Sequence, residues 1–239
     1  MDTLRLPAPK PRMIAHRGCS GLEMENTASA FVAAGNRSYW GIETDVHVTL
    51  DGQYIIIHDD TTGRVAMDDL PVEDSSFEVL RSLRLKDRDG RPGRRDLILP
   101  SLREYVQICK KYDKFSVLEL KNPMEPRHVD GIIDAVQAEG WLEHTVFISF
   151  ALDNLIFLRS RLPHQKAQLL IEEPRPDLVD VLARHRLDLD VWDRLLTEDL
   201  VRAVKAIGAE INVWTVDDPA SAHRFTAWGV DYLTSNILE

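Results

Sequence analysis

Short apolar runs alternate with segments of helical periodicity along most of the chain. The segment that follows Asn26 or Thr27 has apolar residues at i, i+3, i+4 and i+7, the spacing of one helix face. Eight apolar runs between such segments predict buried strands. These strands begin near residues 13, 42, 117, 146, 167, 187, 210 and 230. Eight strands with helices between most of them predict an α/β fold, a (β/α)8 TIM barrel.

The main alternative to a barrel is a doubly wound open sheet. The first strand of such a sheet often precedes a G-x-G-x-x-G motif, and no such motif follows the first strand here. The sequence reaches Glu239 almost directly after the eighth strand, so we expect the last helix of the barrel to be missing or vestigial. We expect either residues 1–12 or a second subunit, in a homodimer, to cover the apolar groove that this leaves.

The regular alternation is interrupted after the second strand. Asp51-Gly52 predicts a hairpin turn into a strand over residues 54–57. The segment from about 59 to 100 is then polar and rich in Asp, Arg, Gly and Pro, and we interpret it as an insertion within a single domain of residues 1–239. Its charged residues are expected to form a solvated face. Ser101 and Glu104 predict a capping box at the start of the next helix.

Composition limits the partners of the chain. Its formal net charge is −10 over 239 residues and no basic stripe offsets it, which argues against nucleic acid. An anionic substrate would therefore need a local cation or an Arg/Lys cluster. Two cysteines, Cys19 and Cys109, and an N-terminus without an apolar leader favour a cytoplasmic location. No apolar run approaches the ~18 residues of a membrane span, so we expect no stable membrane insertion.

Polar side chains cluster in the early barrel strands. Glu43 and Asp45 alternate in the second strand, as Glu119 and Lys121 do in the third, so each pair shares one strand face. Active sites of barrels lie at the carboxyl ends of the strands, where His16 follows the first strand. Three carboxylates at one barrel mouth repel each other unless their pKa values rise or a cation lies among them. Hard oxygen ligands suit Mg²⁺ or Ca²⁺ better than Zn²⁺.

An ordered set of motifs resembles the glycerophosphodiester phosphodiesterase family, from Met13 to about Thr234. The motifs are His16-Arg17-Gly18, Glu25-Asn26-Thr27, Gly41-x-Glu43-x-Asp45-Val46, Thr49-x-Asp51-Gly52, His58-Asp59, Glu119-x-Lys121, Trp214-Thr215-Val216 and Gly229-Val230-Asp231. A single triplet is weakly specific, whereas the ordered set is highly specific. The sequence departs from the family at Met24, where Pro is usual. It also has Thr234-Ser235-Asn236-Ile237 in place of Thr-Asp-x-Pro, which we expect to affect barrel closure more than chemistry.

The resemblance implies metal-dependent hydrolysis of a small glycerophosphodiester to sn-glycerol 3-phosphate and an alcohol. It implies a barrel with an insertion after the second strand, and an acid–base pair formed by His16 and His58. One divalent cation, Mg²⁺ or Ca²⁺, is implied as the cofactor. The implied cation ligands are Glu43, Asp45 and Glu119, and the implied substrate contacts are Arg17, Lys121 and Trp214.

Several alternatives stay open on the residues alone. A phospholipase-D-like barrel that cleaves lysophospholipid or sphingolipid head groups would share these side chains, and a non-catalytic binding protein could keep the same scaffold. The sequence does not assign acid and base between the two histidines, nor decide whether water or a substrate hydroxyl attacks. His47 shares the face of the acids, and Cys19 follows the first motif, but the pattern requires neither. The other five histidines are expected at the surface.

Overall fold

A computed structural model describes residues 2–239 as strands and helices in alternation. The strands are β1 (Arg12–Ala15), β2 (Gly41–Val48), β3 (Tyr54–Ile56), β4 (Phe115–Leu120), β5 (Thr145–Ser149), β6 (Ala167–Ile171), β7 (Asp188–Trp192), β8 (Ile211–Trp214) and β9 (Tyr232–Ser235). The helices are α1 (Ala28–Gly35), α2 (Phe77–Ser82), α3 (Leu102–Lys111), α4 (Pro126–Ala138), α5 (Leu152–Arg161), α6 (Leu178–His185), α7 (Glu198–Ala206) and α8 (Pro219–Trp228). A 3-10 turn covers Leu142–His144.

Eight parallel strands close into a barrel, which confirms the predicted (β/α)8 fold. The strand order is β1-β9-β8-β7-β6-β5-β4-β2, and β1 also pairs with β2. Four residue pairs join β1 to β9, from Arg12 with Tyr232 to Ala15 with Ser235. The departure from the family pattern that follows Thr234 therefore leaves closure intact. Strand β3 lies outside the barrel, antiparallel to β2, as the hairpin turn predicts.

Alternation along the strands separates two cores. Outward residues such as Leu118 and Leu120 of β4 join the main apolar cluster beneath the helices. Inward residues such as Val117 form a smaller cluster inside the barrel, together with Ile14 and Val146. This separation is what the period of two along each strand dictates. Apolar side chains therefore fill the part of the barrel near the start of the strands, and the polar inward residues lie toward the carboxyl ends of the strands.

Local capping signals match the helix ends. Thr27 caps α1, and Ser101 with Glu104 forms the predicted capping box at α3. Asp218 caps α8, with Pro219 at the first helical position. On α7, Val201 and Val204 are buried, whereas Ile207, the residue that follows the last helical residue Ala206, is 39% exposed.

The segment between β3 and α3 has its own small core. Val72, Leu80 and Leu97 are buried there and pack with Ile57 and with Met24 from the loop before α1. Met24 thus serves as an apolar anchor for the insertion where the family usually has Pro. Most charged residues of the segment are exposed, as expected, and the buried apolar residues lie beneath them although the stretch has neither helical nor strand periodicity.

No helix follows β9 within residues 2–239, as expected. The N-terminal segment covers this edge instead, since the backbone N–H of Leu4 donates to Ile237 at 2.9 Å and that of Leu6 to Glu239 at 2.7 Å. Leu6 and Leu238 are both buried in the main cluster. Of the two expected coverings, the N-terminal segment is the one observed. Among the described helices, none combines the length and apolar character that a bilayer crossing requires.

Candidate active site

Three carboxylates meet at the carboxyl end of β2 and β4. Asp45 is the register partner of Glu119, and Glu43 precedes Asp45 by one alternation. One carboxylate oxygen from each of the three lies within 4.8 Å of the others. Their side chains are buried, with exposures of 4% for Glu43, 1% for Asp45 and 6% for Glu119. Adjacent parallel strands with a period of two thus place all three on the inner wall of the barrel.

The carboxylates do not share one protonation behaviour. Burial, reinforced by the charge of Asp45, raises the pKa of Glu43 well above its usual range and that of Glu119 to about 8. Burial opposes ionisation of Asp45 as well. The positive charge of Arg17, with smaller contributions from His58 and Lys121, nevertheless holds the pKa of Asp45 well below its ordinary value. In this cluster Asp45 is therefore ionised, whereas burial disfavours the ionised forms of Glu43 and Glu119.

The residues present fit a divalent cation. Asp45 Oδ1 is buried and has no hydrogen-bond partner. A buried carboxylate oxygen without a partner is costly unless a cation compensates it. The cluster offers three carboxylates and no nitrogen or sulfur ligand, a donor set that suits Mg²⁺ or Ca²⁺.

His16 is oriented by a side chain from the far end of the sequence. Its Nδ1 lies 2.8 Å from Asn236 Oδ1, and Asn236 Nδ2 donates to Asp217 Oδ2 at 2.6 Å. A carboxylate only accepts, so the Asn236 amide must turn its oxygen to His16. His16 Nδ1 then carries the hydrogen, and Nε2 keeps a free lone pair. Burial and then the charge of Arg17 lower the pKa of His16 to about 4, which favours the neutral ring.

His58 has a different partner, a carboxylate. Its Nδ1 lies 2.6 Å from Asp59 Oδ1, so the ring donates to an acceptor that favours its charged form. Burial is the larger effect, however, and it lowers the pKa of His58 below its usual value. The backbone carbonyl of His58 lies 3.3 Å from Nε2 of His47, a fully buried ring whose Nδ1 is 3.0 Å from Glu73 Oε1. His47 therefore supports the His58 backbone and does not face the cavity.

A cavity of about 260 Å³ lies between the two histidines and the opposite wall. Its lining residues are His16, Arg17, Glu43, His58, Glu119, Ile148, Phe150, Leu170, Glu172, Asp190, Trp214 and Thr234. Six of the eight residues singled out from the sequence are among them. Asp45 lies beneath the cavity, and Lys121 lines an adjacent pocket that shares Glu119 and Phe150. One wall is thus charged, and the opposite wall combines apolar side chains with Glu172 and Asp190, an arrangement that suits an anion joined to an organic group.

Two cations flank the carboxylates. Lys121 Nζ lies 2.9 Å from Glu119 Oε1, and Arg17 Nη1 donates to Glu25 Oε1 at 2.9 Å. Arg17 has a left-handed backbone with φ of 52°, and its N–H donates to Glu43 Oε2 at 2.7 Å. The Arg17 Nε is buried without a hydrogen-bond partner. This arrangement leaves donor capacity near the cavity for an anionic ligand.

The two cysteines and the five histidines that were expected at the surface do not line the cavity. Cys19 is fully buried, and burial raises the pKa of its thiol, which disfavours a nucleophilic role. Cys19 and Cys109 are both unpaired. Among the histidines expected at the surface, His164 and His223 are exposed, whereas His128, His144 and His185 are half-buried. The ring of His144 stacks on Trp141 with centroids 4.2 Å apart.

Sequence reasoning missed Asp190 on β7. Its side chain is 2% exposed, it lines the cavity, and its Oδ1 has no hydrogen-bond partner. Burial raises the pKa of Asp190 to about 7. The run Asp188-Leu189-Asp190-Val191 does alternate, and this could have flagged Asp190 as an inward carboxyl.

Asp190 should make folding stability depend on pH. Its pKa rises from 3.8 in the unfolded chain to about 7 in the folded one. Its contribution is therefore complete below about pH 4 and is lost as the pH rises through about 7, by on the order of 4 kcal/mol at most. We expect Asp190→Asn to match the parent near pH 4 and to unfold at higher urea concentration near pH 8. Parallel stability curves for the two proteins would contradict this.

The family model for the glycerophosphoryl diester phosphodiesterase family matches residues 16–238. A glycerophosphodiester phosphodiesterase of Caldanaerobacter subterraneus is 29% identical over 236 residues, covering 96% of each chain. An Oleispira antarctica phosphodiesterase, solved in complex with its product sn-glycerol-3-phosphate, superposes with a TM-score of 0.83 at 23% identity, over 95% of this chain and 94% of that one. A putative glycerophosphoryl diester phosphodiesterase from Silicibacter pomeroyi gives 0.85 at 21% identity, over 98% and 92%.

Proposed function

Because the chain belongs to the glycerophosphoryl diester phosphodiesterase family and is a phosphoric diester hydrolase, we propose that it converts glycerophosphodiesters to sn-glycerol 3-phosphate and an alcohol with the help of a divalent cation. The observation that carries the proposal is one cavity lined by two imidazoles and by members of a three-carboxylate cluster. Residues 1–239 are proposed to act as one catalytic domain, since the insertion packs on Met24 and Ile55 of the barrel region.

The three carboxylates are the proposed cation ligands. Glu43, Asp45 and Glu119 would hold Mg²⁺ or Ca²⁺, and the low pKa of Asp45 keeps one negative charge in place at all ordinary pH values. When bound, the cation withdraws charge from the phosphoryl oxygens. Its charge would offset the burial and the repulsion by Asp45 that raise the pKa values of Glu43 and Glu119.

Arg17 and Lys121 are the proposed contacts to the phosphate oxygens. Both lie beside the carboxylate cluster. Their positive charges there would attract an anionic substrate that the net negative charge of the protein repels. Trp214 is proposed to line the organic half of the substrate. Its ring meets Phe150 edge to face at 5.9 Å, which forms an aromatic corner at the cavity mouth.

The hydrogen bonds of the two histidines support different roles for them. His16 presents an unprotonated Nε2 because Asn236 accepts from Nδ1, so His16 is the proposed base that takes the proton from the attacking hydroxyl. His58 is paired with Asp59, so it is the proposed acid that protonates the departing alkoxide. The attacking oxygen forms its bond to phosphorus as the bond to the alkoxide breaks, and one proton moves at each end.

Removing divalent cations should abolish turnover. The purified protein is expected to release sn-glycerol 3-phosphate from glycerophosphocholine, to stop in excess EDTA, and to recover when Mg²⁺ or Ca²⁺ is restored. Product is measured by coupled oxidation of glycerol 3-phosphate. Undiminished release in EDTA would contradict the cation proposal, and no release under any condition would contradict the proposed function. Choline release from lysophosphatidylcholine with none from glycerophosphocholine would favour the phospholipase-D-like alternative.

The nucleophile can be identified by its intermediate. Attack by a hydroxyl of the substrate's glycerol would produce a cyclic phosphate before glycerol 3-phosphate, whereas attack by water would not. Phosphorus NMR during turnover distinguishes the two, because a five-membered cyclic phosphate has its own resonance. In both cases the proton goes to His16, so the result leaves the roles of the histidines unchanged.

A further inference from the structure

One side chain of the insertion, Arg64, lies between two carboxylates that contact residues of the proposed site. Arg64 donates to Glu25 through Nη1 at 2.7 Å and Nη2 at 2.8 Å. It also donates to Asp59 through Nε at 2.5 Å and Nη2 at 3.0 Å. Both carboxylates are thus held two-point by one planar guanidinium, the geometry that arginine provides and lysine does not.

The two carboxylates that Arg64 joins each hold a side chain of the proposed site. Glu25 Oε1 accepts from Arg17 Nη1 at 2.9 Å, and Asp59 Oδ1 lies 2.6 Å from His58 Nδ1. These are the same two oxygens that Arg64 Nη2 contacts. Nη2 of Arg64 therefore lies between Glu25, which holds Arg17, and Asp59, which holds His58.

We propose that Arg64 is a positioning residue that fixes Arg17 and His58 relative to each other through Glu25 and Asp59. The proposal rests on the proposed function, since it assigns Arg64 a part in that reaction. Without Arg64, Glu25 and Asp59 would each lose a two-point contact and would face each other as like charges. Both could then rotate away from the side chains that they hold. A displacement of about 1 Å in a catalytic group can cost 10²-fold in rate.

The insertion offers a matched control in Arg94. Arg94 is 49% exposed against 45% for Arg64, and it too contacts carboxylates, namely Glu23, Asp87 and Asp96. None of those three carboxylates contacts Arg17 or His58, whereas Glu25 accepts from Arg17 and Asp59 pairs with His58. Exposed ion pairs of this kind contribute little to stability. Arg64→Ala and Arg94→Ala should therefore have similar melting temperatures and differ in activity.

The test measures kcat, KM and melting temperature for the full chain, with glycerophosphocholine and Mg²⁺. Arg64→Ala should lower kcat/KM by about 10- to 100-fold, whereas Arg94→Ala should stay within about twofold of the parent. Millimolar guanidinium should restore part of the lost activity to Arg64→Ala and none to His58→Ala. Arg64→Lys should fall between the parent and Arg64→Ala, because an ammonium can occupy the position of Nη2 alone.

A second measurement does not depend on turnover. Arg64→Ala should bind sn-glycerol 3-phosphate several-fold more weakly in calorimetry, because Arg17 loses its anchor. If the parent is active and Arg64→Ala equals Arg94→Ala in both rate and affinity, the role of Arg64 is refuted. A loss in Arg64→Ala that guanidinium and Arg64→Lys both fail to restore also refutes it. If the parent hydrolyses no glycerophosphodiester, the proposed function fails, and unchanged affinity in Arg64→Ala would then separately refute the anchoring of Arg17.

Discussion

Replacing either His16 or His58 with alanine is expected to lower the turnover of glycerophosphocholine by about 10²–10⁴-fold, the usual contribution of one acid or base. The two variants should separate when the leaving alcohol changes. A glycerophosphodiester of p-nitrophenol releases p-nitrophenolate, which is stable without a proton, whereas glycerophosphocholine would release an alkoxide. His58→Ala should therefore recover most of its activity on that diester, because the leaving oxygen no longer needs a proton from an acid.

His16→Ala should remain slow on both diesters, because the attacking hydroxyl must lose its proton whichever alcohol leaves. Melting temperature and circular dichroism serve as the fold controls, and Cys19→Ser, a buried change outside the proposed chemistry, checks that the assay tolerates a substitution near His16. Near-normal turnover in either alanine variant would contradict the acid–base pair. Recovery of His16→Ala in place of His58→Ala on the aryl diester would reverse the two roles.

Glu119→Gln is expected to have the second large effect, and it should separate catalysis from stability. Turnover should fall by at least about 10²-fold, since even side chains that only support a metal ligand are worth 10–100-fold. The protein should also lose the rise in melting temperature that Mg²⁺ or Ca²⁺ gives to the parent, because binding to the folded state alone is stabilising.

Without the metal, Glu119 should make the folding stability of the protein decrease as the pH rises. The pKa of Glu119 is raised from 4.5 in the unfolded chain to about 8 in the folded one. Its contribution is therefore present below about pH 4 and is lost as the pH rises through about 8. Metal-free Glu119→Gln should match the parent near pH 5 and melt higher near pH 9. A parent that binds the cation and keeps its melting temperature from pH 5 to 9 in EDTA would contradict the cause given for the raised pKa.

The departure after Thr234 leaves barrel closure intact and places Asn236 beside the proposed site. Closure of the barrel is intact, because β1 and β9 pair and the His16 N–H donates to the Ser235 carbonyl at 2.9 Å. Asn236 contacts the His16 ring, and Asp217 accepts from both Ser235 Oγ at 2.9 Å and the Asn236 backbone at 2.8 Å. The contacts of this segment favour a hydrogen on Nδ1 of His16, so we expect its substitutions to bear on chemistry more than on the fold.

Sequence alone determined the features that depend on local periodicity. A period of two along β2 and β4 places Glu43, Asp45 and Glu119 on the inner face, and the repeated strand–helix pattern makes that face the wall of a barrel. Helix caps such as Thr27 and Ser101 were equally readable, because a cap acts within three residues. Local rules were sufficient wherever the partners are neighbours in the chain or in adjacent strands.

Only the tertiary structure decided which distant side chains orient the proposed catalytic groups. Asn236 reaches His16 across 220 residues, and Arg64 bridges Glu25 and Asp59 from an insertion without periodicity. No spacing rule relates such positions, because their separation in space is set by closure of the barrel and by the apolar packing of the insertion. The sequence thus determined six of the residues that line the cavity, while the folded chain added Asp190 to them and determined which side chains hold the two histidines.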